Sequence, residues 1–326
     1  MRFNRTVKNS PTWKKISIAF LIIHIAFLTI FFPLRIYIFD YHISDLVLEN
    51  NYVSVGVDLS RGGAINCITL KNRWGEENIV NINDEGRYIQ QSYYAGNNLD
   101  RIADGQSPSW SPWPWNPIQV GDAFGNRAET LESSLSEGEI YVKCIPMLWD
   151  MNNEPAEAIM EQWMELNDHV ITVRCRLTCN RTDDLYGEGI ERDQEVPAVY
   201  PVSYLSRLVS YRGAAPFTGA PVEELEVINL ASGFWGRYDD EITENWMAFV
   251  DEDNYGLAVY NNATISFIAG RSGESGQWSR DGGTSYIAPV TRASLYKDSV
   301  YEYTYYLIVG ELDAIRADIY EIHNSL

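Results

Sequence analysis

A strand-like segment at 159–166 places carboxylates beside a tryptophan. Apolar and polar residues alternate along it, so that Met160 and Met164 share one face. Glu161, Trp163 and Glu165 share the other, and an aromatic ring next to carboxylates suits a sugar with its apolar face and hydroxyl rim. An extended backbone separates Glu161 from Glu165 by about 13 Å, more than the roughly 5–9.5 Å between paired glycosidase carboxyls. A second catalytic carboxyl must come from another segment.

Three other segments offer such a carboxyl among aromatic or amide residues. Asp193 and Glu195 lie in 192–200, RDQEVPAVY, and Glu244 lies in 243–246, TENW. Asp122 follows a tryptophan-rich loop. We predict that the catalytic residues, acting as general acid and base, are Glu161, Glu195, Glu244 and Asp122. The alternative for each of them is a solvated surface carboxyl without a function.

The tryptophan-rich loop at 101–117 is the predicted centre of substrate binding. Four prolines interrupt it, which excludes a regular strand, and loops on a rigid β scaffold often carry function. A second polar and aromatic cluster lies at 86–94, GRYIQQSYY, where Arg87 suits a carboxylate-bearing sugar. The predicted binding residues are Arg87, Gln90, Tyr93, Trp113, Trp115, Asn116, Trp163, Glu165 and Trp246. The alternatives are that the tryptophans plug one end of a sandwich and that Arg87 pairs with a surface acid.

These residues need a scaffold that brings distant segments together. We predict that one concave face collects Glu161, Glu165, Glu195, Glu244, Trp163, Trp246, Arg87 and Asp122. For hydrolysis, a carboxyl of the later segments has to approach Glu161 or Glu165 to within about 5–9.5 Å.

The elements that position these side chains are predicted to be short antiparallel strands. Ten segments rich in Val, Ile, Thr, Tyr and Trp are separated by turn residues. They are 52–59, 64–70, 140–148, 159–166, 170–179, 225–230, 246–250, 256–260, 264–268 and 300–309. No helical pattern alternates with them, which argues against a parallel sheet. We expect an all-β, antiparallel, two-sheet protein with one short amphipathic helix after residue 311.

The N-terminal segment differs from the rest in charge and hydropathy. Residues 1–39 carry six basic side chains and no acid, and 16–34 form an apolar run of nineteen residues. This run has the length of a membrane-spanning helix, and the basic residues before it favour a cytoplasmic N-terminus. We predict a cytoplasmic segment at 1–15, a transmembrane anchor at 16–39 and a β-sandwich domain outside the cytoplasm at 40–326. A buried core helix is the alternative for the apolar run.

Charge and cysteine content limit the partners and the cofactors. The formal net charge is −20, which argues against nucleic acid because phosphates need a basic surface. Cys175 and Cys179 lie on one face of a strand about 13 Å apart, too far for a mutual disulfide. No C-x-x-C motif occurs and the chain has 4 histidines, so we expect no zinc site, no other metal and no cofactor.

Several segments resemble a family of carbohydrate-active proteins. Residues 62–68, GGAINCI, follow a first strand, and EQWMEL (161–166), DQEVPAVY (193–200), PFTG (216–219) and ENWMAFV (244–250) come later. Together they resemble the galactose mutarotase-like β-supersandwich of mutarotases and of domains in glycoside hydrolases and polysaccharide lyases. The resemblance covers about residues 50–320 and implies a supersandwich fold and a sugar ligand.

The resulting functional hypothesis is a membrane-anchored extracytoplasmic protein that cleaves a glycan, as a glycoside hydrolase or a polysaccharide lyase. Its predicted partners are a polysaccharide or oligosaccharide and, through the N-terminal helix, a lipid bilayer. The alternative is a non-catalytic glycan-binding or structural domain at the cell surface.

Overall fold

Alternating burial along the strands follows the alternation of residue types in the sequence. In Val170–Cys179, for example, Ile171, Val173, Cys175 and the later odd positions are buried, whereas Arg174 is exposed. Such a period-2 pattern is stable only when one face of a sheet packs on a core.

The computed structural model describes residues 44–232, 235–239 and 242–326. Within these residues the chain forms 21 strands and one α-helix. The strands are β1 (Leu46–Glu49), β2 (Val53–Asp58), β3 (Ala64–Leu70), β4 (Gln90–Ser92), β5 (Ala95–Leu99), β6 (Trp113–Trp115), β7 (Pro117–Ile118), β8 (Glu129–Ser136), β9 (Glu139–Ile145), β10 (Met147–Leu148), β11 (Ala158–Asn167), β12 (Val170–Cys179), β13 (Glu191–Ala198), β14 (Arg207–Ser210), β15 (Glu223–Leu225), β16 (Gly236–Asp239), β17 (Trp246–Val250), β18 (Tyr255–Tyr260), β19 (Ser266–Ser272), β20 (Thr284–Ser294) and β21 (Val300–Glu311). The helix is α1 (Leu312–Ser325).

Two large sheets contain sixteen of these strands, while β1–β3 and β5–β6 form two small sheets. The seven-stranded sheet has the order β10-β7-β4-β13-β20-β19-β16, and the nine-stranded sheet has the order β15-β14-β17-β18-β21-β12-β11-β9-β8. Neighbouring strands in both are antiparallel. Val196 and Ile287 of the first sheet and Met164 and Leu307 of the second belong to one buried cluster. The two sheets therefore pack face to face around a shared core.

The helix α1 covers part of the outer face of the nine-stranded sheet. Its buried residues Leu312, Ile315 and Ile319 join a second apolar cluster with Trp246 and Tyr260. Glu311 caps its N-terminus by accepting hydrogen bonds from the amides of residues 313 and 314, at 3.0 and 3.4 Å. The predicted C-terminal helix is therefore confirmed as a sheet-covering element.

The predicted fold class needs one correction. The all-β antiparallel architecture with a short C-terminal helix is right, but the transmembrane helix is not supported: no helix in the described part of the chain is long and apolar enough to cross a membrane. The segments at 1–15 and 16–39, assigned as a cytoplasmic tail and an anchor, lie outside the described residues. The location of the β domain outside the cytoplasm stays a prediction.

The four cysteines are free thiols, and Cys175 and Cys179 do not pair, as predicted. Burial raises the pKa of Cys144 and of Cys175 to about 12. These thiols are therefore protonated at neutral pH and pack as small apolar side chains.

Candidate functional site

A pocket opens on the outer face of the seven-stranded sheet, where β4, β13 and β20 lie side by side. Its volume is about 210 Å³. Strand parity places it there, because Val196 and Ile287 point into the core and their neighbours Glu195 and Tyr286 point the opposite way. The residues that line the pocket are Gly86, Gln90, Ser92, Tyr94, Trp110, Trp113, Asn116, Ile118, Trp149, Glu195, Ala198, Tyr200, Trp235 and Tyr286.

One wall of the pocket is a row of aromatic rings from the tryptophan-rich loop and its neighbours. The ring of Trp110 lies 5.0 Å from that of Trp113 and 5.9 Å from that of Trp149, in edge-to-face contacts. Trp113 donates its indole N–H to Asn116 Oδ1 at 3.0 Å, and Asn116 donates to the carbonyl of Tyr93 at 2.7 Å. Asn116 thus fixes the orientation of Trp113. The loop itself forms no longer strand, because four prolines interrupt it.

A second aromatic group forms the floor of the pocket. The ring of Tyr286 lies 4.6 Å from that of Tyr200 and 4.8 Å from that of Trp235. These rings pack with Ala198 in a small apolar cluster on the outer face of the sheet. Apolar ring faces are therefore available on two sides of the pocket, as stacking against a sugar requires.

Glu195 joins the two aromatic groups. Tyr286 and Tyr94 both donate their hydroxyl hydrogens to Glu195 Oε2, at 2.8 and 3.3 Å. Within the described chain, Oε1 accepts no hydrogen bond, and the side chain is only partly buried. Burial raises the pKa of Glu195, although the bonds from Tyr286 and Tyr94 oppose this change. A carboxyl with one oxygen fixed and a raised pKa is suited to proton transfer to a ligand.

Four residues predicted from the sequence meet in this pocket: Glu195, Gln90, Trp113 and Asn116. Gln90 is almost fully buried. It donates to the carbonyl of Gly86 at 2.7 Å and accepts from the amide of Val120 at 3.2 Å. It therefore holds the rim of the pocket in place.

The segment with Glu161, Trp163 and Glu165 lies on the other large sheet. The strand parity agrees with the prediction, since Met160 and Met164 are buried and these three residues are not. Glu161 accepts from the hydroxyl of Tyr141 at 2.9 Å. The outward face of β11 belongs to the nine-stranded sheet, whereas the pocket lies on the seven-stranded sheet. The structure therefore does not bring this segment to the pocket.

Glu244 and Trp246 lie beneath α1. Glu244 is fully buried and accepts hydrogen bonds from Tyr320, Trp246 and Arg316 at 2.7, 2.9 and 3.0 Å. Burial alone would raise the pKa of Glu244, but the bonds from Arg316, Trp246 and Tyr320 outweigh it and lower the pKa. This arrangement attaches the helix to the sheet and has no access to the pocket.

The remaining predicted residues make structural contacts outside the pocket. Asp122 accepts from the amides of residues 124, 126 and 153, at 2.8–2.9 Å, and so shapes a turn. Arg87 donates to the carbonyl of Gly282 at 2.7 Å. Tyr93 is buried between the sheets. Trp115 is buried against the guanidinium of Arg181, whose carbon lies 5.7 Å from the ring.

Three pocket residues, Trp149, Trp235 and Tyr286, have no signal in the sequence that would single them out. Each comes from a different segment, and none belongs to the polar and aromatic clusters identified from the sequence. The alternation of residues in 191–198 could have identified the face of the sheet that carries the pocket, since it places Glu191, Asp193 and Glu195 on one side. Among the described residues, no cluster of three His, Cys, Asp or Glu side chains could hold a metal ion.

Comparison with known proteins gives structural neighbours at low identity. No protein-family model matches the sequence, and no curated protein does so either. The chain is similar in structure to a putative aldose 1-epimerase from Escherichia coli K12, with a TM-score of 0.48 and 10% identity, over 81% of this chain and 97% of that chain. It is similar to a galactose mutarotase-like protein from Lactobacillus casei, with a TM-score of 0.47 and 10% identity, over 81% of this chain and 99% of that one.

A third neighbour is the 4-alpha-glucanotransferase from Thermococcus litoralis. The TM-score is 0.44 and the identity 9%, over 82% of this chain and 37% of that chain. One of these neighbours is itself described as galactose mutarotase-like, the group that the sequence resembles. A likeness of this degree assigns no reaction, so the chemistry of this chain has to be read from its own pocket.

Proposed function

We propose that this protein processes carbohydrate, with a sugar ring bound in the pocket and Glu195 transferring a proton to or from it. The observation that carries the proposal is the carboxyl of Glu195. Its Oε2 is fixed by two tyrosine hydroxyls, while Oε1 is left for a ligand between two groups of aromatic rings. Fixed geometry and a raised pKa are the properties of a general acid.

A second carboxyl on the same face supports hydrolysis as the reaction. Asp193 lies two residues before Glu195 on β13, about 7 Å along the strand, a spacing compatible with that of glycosidase carboxyls. Burial raises the pKa of Asp193, but hydrogen bonds from Arg237 and Arg292 outweigh it and lower the pKa. The pKa values of the two carboxyls thus shift in opposite directions, and the raised pKa of Glu195 suits a general acid.

Non-catalytic sugar binding is the second candidate. The observation in its favour is that Glu195 is the one carboxyl among the described residues that line the pocket itself. Asp193 is held by Arg237 and Arg292 at 2.7 and 3.0 Å, which a purely structural ion pair would also show.

The Glu195→Gln variant separates these two functions because it preserves the shape of the side chain and removes its proton. Tryptophan fluorescence measures binding of glucose, galactose, mannose, their disaccharides and polygalacturonate. ¹H NMR of the same mixtures follows anomerisation, hydrolysis and elimination. We expect Glu195→Gln to bind the preferred sugar and to lose roughly 10²- to 10⁴-fold in rate. Glu132→Gln, an exposed carboxyl on the nine-stranded sheet, is the matched control and keeps both properties.

If Glu195→Gln turns over the sugar at the rate of the unmodified protein, the catalytic role of Glu195 is refuted. Binding without turnover by the unmodified protein supports the sugar-binding function in its place. Absence of binding to every probe contradicts both.

A further inference from the structure

The pocket continues into two further cavities. We define the cleft by the residues Tyr94, Trp113, Glu191, Arg192, Asp193, Glu195, Ile268 and Arg292, which surround about 520 Å³. Tyr94, Trp113 and Glu195 also line the pocket. Beyond the cleft lies an outer groove of about 710 Å³, which shares Glu191 and Arg292 with it. Pocket, cleft and outer groove therefore adjoin in series.

The two ends of this series differ in enclosure. The pocket has aromatic rings on its wall and floor and a volume of about 210 Å³. Sites for drug-sized ligands span roughly 300–1,000 Å³, so the pocket is sized for a single ring. The cleft and the outer groove are wider and more open to solvent. A chain bound along the series would enter the pocket with one end and leave through the outer groove.

Glu195 stands at the junction of the pocket and the cleft, since it lines both. The linkage between a ring in the pocket and the next ring in the cleft therefore passes the carboxyl of Glu195. This is the place where the proton of the proposed function is needed.

The cleft offers paired hydrogen-bond donors and acceptors. Asp193 and Arg292 lie opposite each other on β13 and β20, and Arg292 Nε donates to Asp193 Oδ1 at 3.0 Å. The Arg292 side chain is 55% exposed, and its two terminal nitrogens extend beyond that bond. Sugar hydroxyls both donate and accept, so they can bind to such a pair. The net charge of −20 disfavours the approach of a polyanion.

We propose that the site binds an uncharged glycan by its end, with the terminal sugar in the pocket and the next sugar in the cleft against Asp193 and Arg292. This inference rests on the proposed function and adds the substrate class to it. It predicts that affinity increases with chain length until the cleft is filled and that an end is required.

The test uses defined neutral glycans with the full-length protein. Tryptophan fluorescence titrations compare glucose with maltose and maltotriose, and mannose with mannobiose and mannotriose. In the preferred series we expect about tenfold tighter binding of the disaccharide than of the monosaccharide, as two added hydrogen bonds would give. Arg292→Gln should remove most of this gain. Arg174→Gln, an exposed arginine on the other large sheet, is the matched control and should keep it.

Three outcomes overturn the inference without touching the proposed function. Equal affinity for one, two and three rings removes the role of the cleft. For the maltose series, α-cyclodextrin binding as tightly as maltohexaose removes the requirement for an end. Tighter binding of trigalacturonate than of the neutral trisaccharides removes the preference for uncharged chains. Failure of the monosaccharides and all longer probes to bind contradicts the proposed function itself.

Discussion

The buried carboxyl beneath the C-terminal helix gives the sharpest prediction. Glu244→Gln retains the volume of the side chain but replaces one carboxylate oxygen with an amide NH₂, which donates hydrogen bonds and cannot accept them. If the NH₂ takes the place of Oε2, it faces the indole N–H of Trp246 at 2.9 Å and Arg316 Nε at 3.4 Å. Arg316, whose side chain is only 12% exposed, then loses its counter-charge.

Removing one partner of a buried ion pair costs roughly 3–5 kcal/mol. At about 2 °C per kcal/mol for a unit of this size, we expect the Tm of Glu244→Gln to fall by roughly 6–10 °C. Urea unfolding followed by circular dichroism measures the free energy of unfolding directly. The exposed Glu132→Gln serves as the control and should change stability by less than about 0.5 kcal/mol. The double variant Glu244→Gln/Arg316→Met should recover part of the loss, because it leaves no unpaired charge.

The pH dependence has a defined sign. Because the folded protein lowers the pKa of Glu244, its contribution is present above the unfolded pKa of about 4.3 and is lost as pH falls through the folded value. The difference between the unmodified protein and Glu244→Gln should therefore shrink below about pH 4. A loss under 1 kcal/mol at pH 7 would refute the structural role. So would a folded variant that has lost sugar binding.

Three further predictions test other parts of the structure. Because burial raises the pKa of Glu195, its ionised form destabilises the fold, so Glu195→Gln should be more stable than the unmodified protein at pH 7–8 in urea titrations. This difference should vanish below the unfolded pKa of about 4.3, and a variant less stable at pH 8 would contradict the shift. Trp163→Leu removes a contact with the Arg174 guanidinium, 3.9 Å from the ring centre. It should lower the free energy of unfolding by about 0.5–1 kcal/mol without changing sugar affinity. Reduced affinity would make the outer face of the nine-stranded sheet the binding surface. Titration with a thiol reagent should give four reactive cysteines after unfolding, whereas fewer than four would reveal a disulfide.

The nine-stranded sheet was largely predictable from the sequence. The predicted segments 170–179 and 246–250 coincide with β12 and β17, and those at 159–166 and 300–309 fall within β11 and β21. β11 and β12 have one face on the core, so the alternation of residue types records their burial. β17 is buried throughout, because α1 covers its outer face, and its continuous apolar run identifies it instead. β8 and β14 were not predicted, and the segment at 225–230 shares only its first residue with a strand, β15.

The seven-stranded sheet, which carries the pocket, was mostly missed. β20 is buried along its first eight residues, because a site with its own packed aromatic rings covers its outer face. Burial on both faces removes the alternation that identifies a strand. β13 begins with the charged residues ERD and contains Pro197, which masks its strand character. The signals that identify strands are thus weakest in the sheet that carries the pocket.

Site residues could be predicted where the neighbouring sequence reflects their surroundings, and could not where their partners are distant in the chain. Trp113, Asn116 and Gln90 lie in segments whose composition suggested a binding surface, and all three line the pocket. Glu195 was singled out by its aromatic and amide surroundings in the sequence. Glu244 had similar surroundings, but its partner Arg316 lies 72 positions later. Composition alone does not distinguish a carboxyl that lines a pocket from one that binds a distant arginine.

The pocket is assembled from residues between Gly86 and Tyr286, and this spread ties ligand binding to the folding of nearly the whole domain. Pairings between such distant strands form late, because the chain must lose the entropy of large loops before it gains these contacts. No short fragment of this chain will retain the pocket. A sugar that binds it stabilises the complete fold by mass action, so unfolding rates at saturating ligand should report occupancy of the pocket without a catalytic assay.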